Sequence, residues 1–176
     1  MFEEELQTAT AIAREAGRIL LGIYATDFGV DYKGQGTSDP VTEADRRANS
    51  LIVRRLRAAF PEDGIVAEES EDHGAALTKR RIWYVDPLDG TKEFIAKNGE
   101  FAVMIGLAVD GGAQLGVVYQ PSADKLYTGI VGQGAQLVQG GQTQSLRVSD
   151  CSFTRDLRLV VSRSHRPKST TELMQK

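Results

Sequence analysis

The chain has 176 residues, of which 41% are hydrophobic and 26% charged, and its formal net charge is −3. These proportions are those of an ordinary globular domain, and the small acidic charge provides no general attraction for a nucleic-acid polymer. Cys151 is the only cysteine, which excludes an internal disulfide and a thiolate-rich zinc site. The longest apolar stretch, Phe101–Val109, is too short to span a bilayer. We therefore expect a cytoplasmic protein without an integral membrane segment.

The first part of the chain predicts two helices. Apolar residues recur at helical spacing from Phe2 to Ile23, and a polar, glycine-containing segment follows at 33–40. The second helix should begin near Thr42, whose hydroxyl can cap it while Asp45 stands three residues later, in a variant of the capping box. Pro61 should end this helix.

Short apolar segments after the second helix predict strands. They are Ile65–Ala67, Ile82–Val85, Phe101–Val109, Ala113–Tyr119, Lys125–Val131, Ala135–Val138 and Leu157–Val161. The turn residues Asp110–Gly112 predict a hairpin. Phe101–Val109 is apolar at odd and even positions alike, which predicts a strand covered on both faces. Helices in front and hairpins behind indicate an α+β fold, a layered α/β sandwich in which paired helices pack on a mainly antiparallel sheet.

The segment Trp83–Phe94 carries the most specific chemistry. It places Asp86 and Asp89 where a strand meets a glycine turn and then a helix. Pro87 biases Asp86 towards extended geometry, so both acids can project at the end of the strand. Gly90 permits close approach of the backbone to a ligand, and the amides after it would open a helix, which is an anion site. Carboxylates for a hard cation beside amides for a phosphate predict a magnesium-assisted phosphate site.

Other acidic residues can join this segment. Glu68 and Glu69 follow the Ile65–Ala67 strand, and Asp45 lies in the first turn of the second helix. Taken singly, each has an ordinary interpretation, because a Glu-Glu pair is usually solvated surface and an acid favours a helix N-terminus. The functional interpretation depends on the combination of three acidic elements, two at strand ends and one at a helix start.

Residues 42–45 (Thr-Glu-Ala-Asp), 67–70 (Ala-Glu-Glu-Ser) and 86–91 (Asp-Pro-Leu-Asp-Gly-Thr), in this order, resemble the signature of the lithium-sensitive, magnesium-dependent phosphatases. That group is the inositol-monophosphatase superfamily, and the resemblance runs along nearly the whole chain. Residues 92–95 and 98–101 are more similar to bisphosphate nucleotidases of the bacterial CysQ kind, and Ser162–His165 resembles their nucleoside-contacting segment.

The resemblance implies two or three Mg²⁺ ions. Glu68, Asp86 and the carbonyl of Leu88 would hold one ion, and Asp86 and Asp89 would hold a second. Another ligand of that second ion, an aspartate, lies in a later part of the family's chains and has no counterpart here.

The resemblance also implies the residues that act on the substrate. Those implied to contact it are Asp89, the Gly90 and Thr91 amides, Ser162 and His165. The Thr91 hydroxyl, polarised by Asp45, would help orient and deprotonate the attacking water, and Glu68 would complete the catalytic set. Judged from the sequence alone, His165 is equally well interpreted as a surface loop residue.

The implied activity is that of a bisphosphate nucleotidase of sulfur metabolism. It would hydrolyse the 3′-phosphate of adenosine 3′,5′-bisphosphate, or of its sulfated form, to AMP and phosphate with a metal-activated water. Two alternatives stay open. One is an inositol- or sugar-phosphate phosphatase, and the other is a truncated, non-catalytic metal-binding module.

The domain prediction follows from the same comparison. Residues 1–162 would form the metal- and phosphate-binding α+β domain, and 163–176 would begin a second α/β domain that is cut short. Apolar strand faces such as Val103 and Ile105 would then be poorly covered. We therefore expect a homodimer, aggregation or a low melting temperature.

Overall fold

The structure is a computed structural model that describes residues 2–32, 40–69, 74–158 and 160–161. It divides into two compact units, Met1–Leu146 and Arg147–Lys176. In the second unit, the described residues carry one short 3-10 helix, Thr154–Asp156. The predicted domain boundary after residue 162 lies outside the described residues and stays a prediction. No helix in the described ranges combines the length and apolar character needed to cross a membrane.

The described residues of the first unit form four α-helices and one 3-10 helix, Pro121–Ala123. The α-helices are α1 (Glu3–Tyr24), α2 (Glu43–Ala59), α3 (Gly74–Leu77) and α4 (Thr91–Ile95). The two long helices pack against each other, and α1 buries the apolar stripe that the sequence predicted. The predicted start of α2 is confirmed, because the Thr42 hydroxyl accepts from the Ala44 amide at 3.1 Å and Asp45 accepts from the Thr42 amide at 2.7 Å.

The strands form one large sheet and one small pair. The strands are β1 (Val30–Tyr32), β2 (Pro40–Thr42), β3 (Gly64–Ala67), β4 (Arg81–Asp89), β5 (Ala102–Val109), β6 (Gly112–Gln120), β7 (Lys125–Ile130), β8 (Gly134–Gln139) and β9 (Gln142–Leu146). As far as the described residues show, the large sheet has seven strands in the order β3-β4-β5-β6-β7-β8-β9, and of its pairings only β3–β4 is parallel. The predicted hairpin at Asp110–Gly111 is confirmed, with positive φ at both residues. The fold is therefore α+β, as predicted.

The helices cover one face of this sheet. Val103 and Ile105 point to that face and are 0% and 1% exposed, so the expectation that they would be poorly covered is wrong. The prediction that β5 is covered on both faces is also wrong within the described residues, where Tyr84 and Met104 on the opposite face are 45% and 38% exposed. On that face β5 carries only Met104 and three small residues, Ala102, Gly106 and Ala108, so it offers little apolar surface for burial.

Two further parts of the chain differ from the prediction. No strand forms at Leu157, Arg158, Val160 or Val161, the described residues of the predicted Leu157–Val161 strand. The edge strand β9 (Gln142–Leu146) was missed because it is polar and mostly exposed, so it lacks an alternating apolar pattern.

Candidate active site

The parallel pairing of β3 and β4 brings two acidic motifs to one edge of the sheet. Ala67 pairs with Val85, and the Glu68 amide continues the ladder by donating to the Val85 carbonyl at 3.0 Å. Glu68 therefore stands beside Asp86, the next residue of β4. The sequence predicted that both strands end in carboxylates. It did not show that β3 and β4 are parallel neighbours, which is what brings these carboxylates together.

An irregularity in β4 brings Asp89 to the same place. Asp86 is opposite Met104 and Asp89 is opposite Ala102, with a register shift between the two pairs. The Leu88 amide donates to Asp86 Oδ1 at 3.0 Å within this shift. Residues three apart on a regular strand would point to opposite faces, so the bulge is what allows both acids to serve one site.

Crowding of these carboxylates is visible in their pKa values. Burial and the charge of Glu68 raise the pKa of Asp86 from 3.8 to about 7. The charge of Asp89 also raises this pKa, whereas the hydrogen bond from the Leu88 amide opposes the rise. Burial, Glu68 and Glu93 also raise the pKa of Asp89. Three acids thus lie close enough to oppose one another's ionisation.

Asp45 enters the site from the first turn of α2 and is 2% exposed. Its Oδ2 accepts from the amide and the hydroxyl of Thr42 at 2.7 and 2.6 Å. Its Oδ1 accepts from the Thr91 hydroxyl at 3.2 Å. The Leu88 carbonyl is a second acceptor for the same hydroxyl at 3.2 Å. The predicted pairing of Asp45 with Thr91 is therefore present, and Thr42 is an additional partner whose only signal in the sequence was the capping box.

Gly90 forms the turn between β4 and α4. Its φ is 89°, and a Cβ at this position would lie 2.7 Å from the carbonyl oxygen of Glu100. Only glycine fits this turn without strain. The Phe94 amide donates to the Gly90 carbonyl at 2.9 Å, and α4 is a helix of five residues. That the Gly90 and Thr91 amides hold a phosphate stays a prediction.

The donor set suits a hard cation by its chemistry. Glu68, Asp86 and Asp89 provide carboxylate oxygens and Leu88 a carbonyl oxygen, which are the ligands that Mg²⁺ prefers. A divalent cation would also relieve the repulsion that raises the pKa of Asp86. In the parts of the chain that the structure describes, no three His, Cys, Asp or Glu side chains are already arranged around one metal position.

A cationic residue next to Asp45 makes an ion pair that the sequence did not predict. Arg46 follows Asp45 on α2, and its guanidinium donates to Asp31 of β1 at 2.5 Å. That hydrogen bond, together with the charges of Asp31, Glu69 and Asp45, raises the pKa of Arg46. Glu69 is therefore close enough to Arg46 for their charges to interact. Ser162 and His165 fall outside the described residues, so their predicted contact with a nucleoside is untested.

Comparison with known proteins agrees with this geometry. The chain matches the Inositol monophosphatase family over residues 1–176. The 3′(2′),5′-bisphosphate nucleotidase CysQ of Salmonella typhimurium is 36% identical over 171 residues, which are 97% of this chain and 68% of that protein. The Nus factor SuhB of the same species is 37% identical over 132 residues, which are 75% of this chain and 49% of that protein.

Solved structures give the same result. The crystal structure of CysQ from Bacteroides thetaiotaomicron, described as a bacterial member of the inositol monophosphatase family, superposes with a TM-score of 0.77 at 30% identity and covers 99% of this chain and 68% of that one. This chain spans about half the length of the SuhB relative and about two thirds of the CysQ relative. The sequence motifs, the fold and these matches together show that the chain belongs to the inositol monophosphatase family.

Proposed function

We propose that this protein is a magnesium-dependent phosphomonoesterase that removes the 3′-phosphate of adenosine 3′,5′-bisphosphate, giving AMP and phosphate. The observation that carries the proposal is the hydrogen bond from the Thr91 hydroxyl to Asp45, at 3.2 Å, beside the acids of β3 and β4. The choice of substrate is supported by the CysQ relative, which matches 97% of the chain where the SuhB relative matches 75%.

The acids would hold the cation. Glu68, Asp86, Asp89 and the Leu88 carbonyl are the groups that would bind Mg²⁺, and the ion, when bound, would neutralise charge on the phosphoryl group and lower the pKa of a water molecule. No side chain in this set needs to attack phosphorus, because water can be the nucleophile. In the reaction the water oxygen bonds to phosphorus, the bond from phosphorus to the 3′-oxygen breaks, and that oxygen takes up a proton.

Thr91 and Asp45 would handle the proton of the attacking water. Because the Thr91 hydroxyl donates its hydrogen to Asp45 or to the Leu88 carbonyl, its oxygen lone pairs are left to accept a hydrogen from water. Asp45 is fixed in place by two donors from Thr42, so it offers the Thr91 hydroxyl an acceptor at a defined position. We propose that this pair orients the water and draws away its proton as the phosphoryl group transfers.

We assign recognition of the nucleoside to Ser162 and His165. If His165 contacts the nucleoside, replacing it should raise the Michaelis constant for the bisphosphate and leave a small phosphate ester nearly unaffected, because the contact is remote from phosphorus. An equal effect of His165→Ala on both substrates would oppose this role.

A substrate panel tests the proposal. The protein, expressed from its complete reading frame, would be assayed with adenosine 3′,5′-bisphosphate, AMP and inositol 1-phosphate, with and without Mg²⁺ and with added Li⁺. We expect Mg²⁺-dependent, Li⁺-suppressed release of phosphate and a preference for the bisphosphate of at least about tenfold in kcat/KM, a difference of 1.4 kcal/mol.

Other outcomes would favour the alternatives. Preference for inositol 1-phosphate would indicate an inositol- or sugar-phosphate phosphatase, which the same acids could serve and which the family and the SuhB match make reasonable. Binding of Mg²⁺ without hydrolysis of any of the three would indicate a metal-binding module.

A further inference from the structure

Thr42 makes one more hydrogen bond than the start of α2 requires. In the capping box, its hydroxyl oxygen accepts from the Ala44 amide at 3.1 Å and Asp45 accepts from the Thr42 amide at 2.7 Å. Those two bonds complete the cap. The hydroxyl also donates its hydrogen to Asp45 Oδ2 at 2.6 Å, a length typical of a hydroxyl bound to an ionised carboxylate. This third bond needs an explanation other than helix capping.

The third bond determines which oxygen of Asp45 faces the site. Oδ2 receives both donors of Thr42, whereas Oδ1 receives the Thr91 hydroxyl at 3.2 Å. The Ala44 amide donates to the Thr42 oxygen, and the single hydrogen of that hydroxyl is directed at Asp45. Thr42 and Asp45 are 0% and 2% exposed, so bulk water does not compete for these bonds. Asp45 is therefore held at Oδ2 and offers Oδ1 to Thr91.

The backbone places Thr42 between the two helices that meet at the site. It is the last residue of β2 and directly precedes α2, and β2 also contacts α4, whose first residue is Thr91. The Leu88 carbonyl is a second acceptor for the Thr91 hydroxyl, also at 3.2 Å. A displaced Asp45 would leave that hydroxyl to Leu88 alone. The geometry of Asp45 therefore matters for the direction of the Thr91 hydroxyl, and small errors of orientation at a reacting group lower the rate.

We propose that Thr42 is a positioning residue for hydrolysis, because its hydroxyl fixes the Asp45 carboxylate so that Oδ1 stays with the Thr91 hydroxyl. In this assignment Thr42 contacts neither the substrate nor the metal and acts only through Asp45. The inference rests on the proposed function, in which Thr91 and Asp45 handle the proton of the attacking water.

Steady-state kinetics with adenosine 3′,5′-bisphosphate, on the protein expressed from its complete reading frame, test this role. Thr42→Val removes the hydroxyl with little change of shape, and it should lower kcat by about 5- to 10-fold while KM changes by less than about twofold. Thr42→Ser keeps the hydroxyl and should recover most of the rate. Thr42→Gly lacks the hydroxyl, but glycine caps a helix nearly as well as threonine. It should lose kcat as Thr42→Val does, and it decides the question if the valine variant fails to fold.

A double substitution separates positioning from stability. Because Thr42 acts on Thr91 through Asp45, Thr42→Val should change kcat by less than about twofold in the Thr91→Ala background. A structural effect would instead multiply with that of Thr91→Ala. Ile52→Val is the matched control, since it destabilises the same helix at a fully buried position about two turns beyond Asp45, and it should leave kcat unchanged.

The side-chain rotamer of Asp45 gives a measurement that does not depend on activity. Three-bond NMR couplings to its carboxyl carbon, recorded without Mg²⁺, should report one χ1 rotamer in the unsubstituted chain and in Thr42→Ser, and averaging in Thr42→Val and Thr42→Gly. An unchanged rotamer in both variants that lack the hydroxyl would overturn the proposal, as would a loss of kcat that persists in the Thr91→Ala background.

Failure of this proposal differs from failure of the proposed function. A normal kcat in Thr42→Val beside a lowered kcat in Thr91→Ala would overturn the role of Thr42 and leave the proposed function standing. A normal kcat in Thr91→Ala would instead reject the proton-handling role itself, and the role of Thr42 in hydrolysis would fall with it.

Discussion

Thr91, the first residue of α4, donates its hydroxyl hydrogen to Asp45 in the first turn of α2 at 3.2 Å, across 46 positions of sequence. Asp45 is also the residue that closes the capping box of α2 through Thr42. One buried carboxylate therefore stabilises a helix and orients a hydroxyl of the candidate active site. Substitutions at Asp45 and Thr91 should consequently separate a structural effect from a catalytic one.

Asp45→Ala should lower the free energy of unfolding by about 2–3 kcal/mol, because it opens the capping box and leaves the buried amide and hydroxyl of Thr42 without their acceptor. Glu43→Ala is the matched control. It is an exposed acid in the same helical turn, paired with Arg47, and its loss should cost at most about 0.5 kcal/mol. Urea denaturation measures both values, and equal losses would show that Asp45 has no special structural role.

Gly90→Ala should destabilise the protein more than Gly111→Ala. Both glycines have positive φ, 89° and 78°, so both substitutions carry the backbone strain of about 1–2 kcal/mol. Only at Gly90 would the new Cβ also lie 2.7 Å from a backbone oxygen, whereas Gly111 has open space around it. We expect a further loss of at least about 1 kcal/mol at Gly90. Equal melting temperatures for the two variants would contradict the tight turn.

The pKa of Asp86 predicts a pH dependence in the absence of Mg²⁺. Because folding raises this pKa from 3.8 to about 7, the folded chain binds more protons than the unfolded chain between these values. The contribution of Asp86 to stability is thus fully present below about pH 4 and is lost as the pH rises through about 7. We expect a decline of about 2 kcal/mol, roughly half of the unscreened value.

Mg²⁺ should reverse this trend, since it binds the ionised carboxylates and its stabilisation grows with pH over the same window. Asp86→Asn should flatten the decline and abolish most of the stabilisation by Mg²⁺. Asp110→Asn, an exposed acid paired with Arg80, should do neither. Denaturation curves from pH 4.5 to 7.5, with chelator and with Mg²⁺, provide the measurement. A decline that persists in Asp86→Asn would show that another group is responsible.

The sequence predicted the local parts of this site better than their arrangement. The cap at Thr42 and Asp45 and the glycine turn at Gly90 depend on neighbouring residues, so short-range rules identified them. The bulge within β4 and the contact of Arg46 with Asp31 depend on register and on segments distant in sequence. Periodicity carries no information about either.

Thr91→Ala should lower kcat for the preferred phosphate ester by about 10- to 100-fold while changing KM by less than about threefold. The reason is that the hydroxyl is assigned to the attacking water and not to the bound substrate, so its contribution is made mainly in the transition state. Thr91→Ser keeps the hydroxyl and should recover most of the rate, whereas the similarly shaped Thr91→Val should not. Thr78→Ala is the matched control, since its exposed hydroxyl donates to the Ala75 carbonyl of the preceding helix α3, and it should leave both constants unchanged. Steady-state kinetics on the four variants, with urea denaturation to confirm folding, decide the matter. A normal kcat in Thr91→Ala, or a loss confined to KM, would remove Thr91 from the role of handling the proton of water, and Asp45 would then be left with its structural role alone.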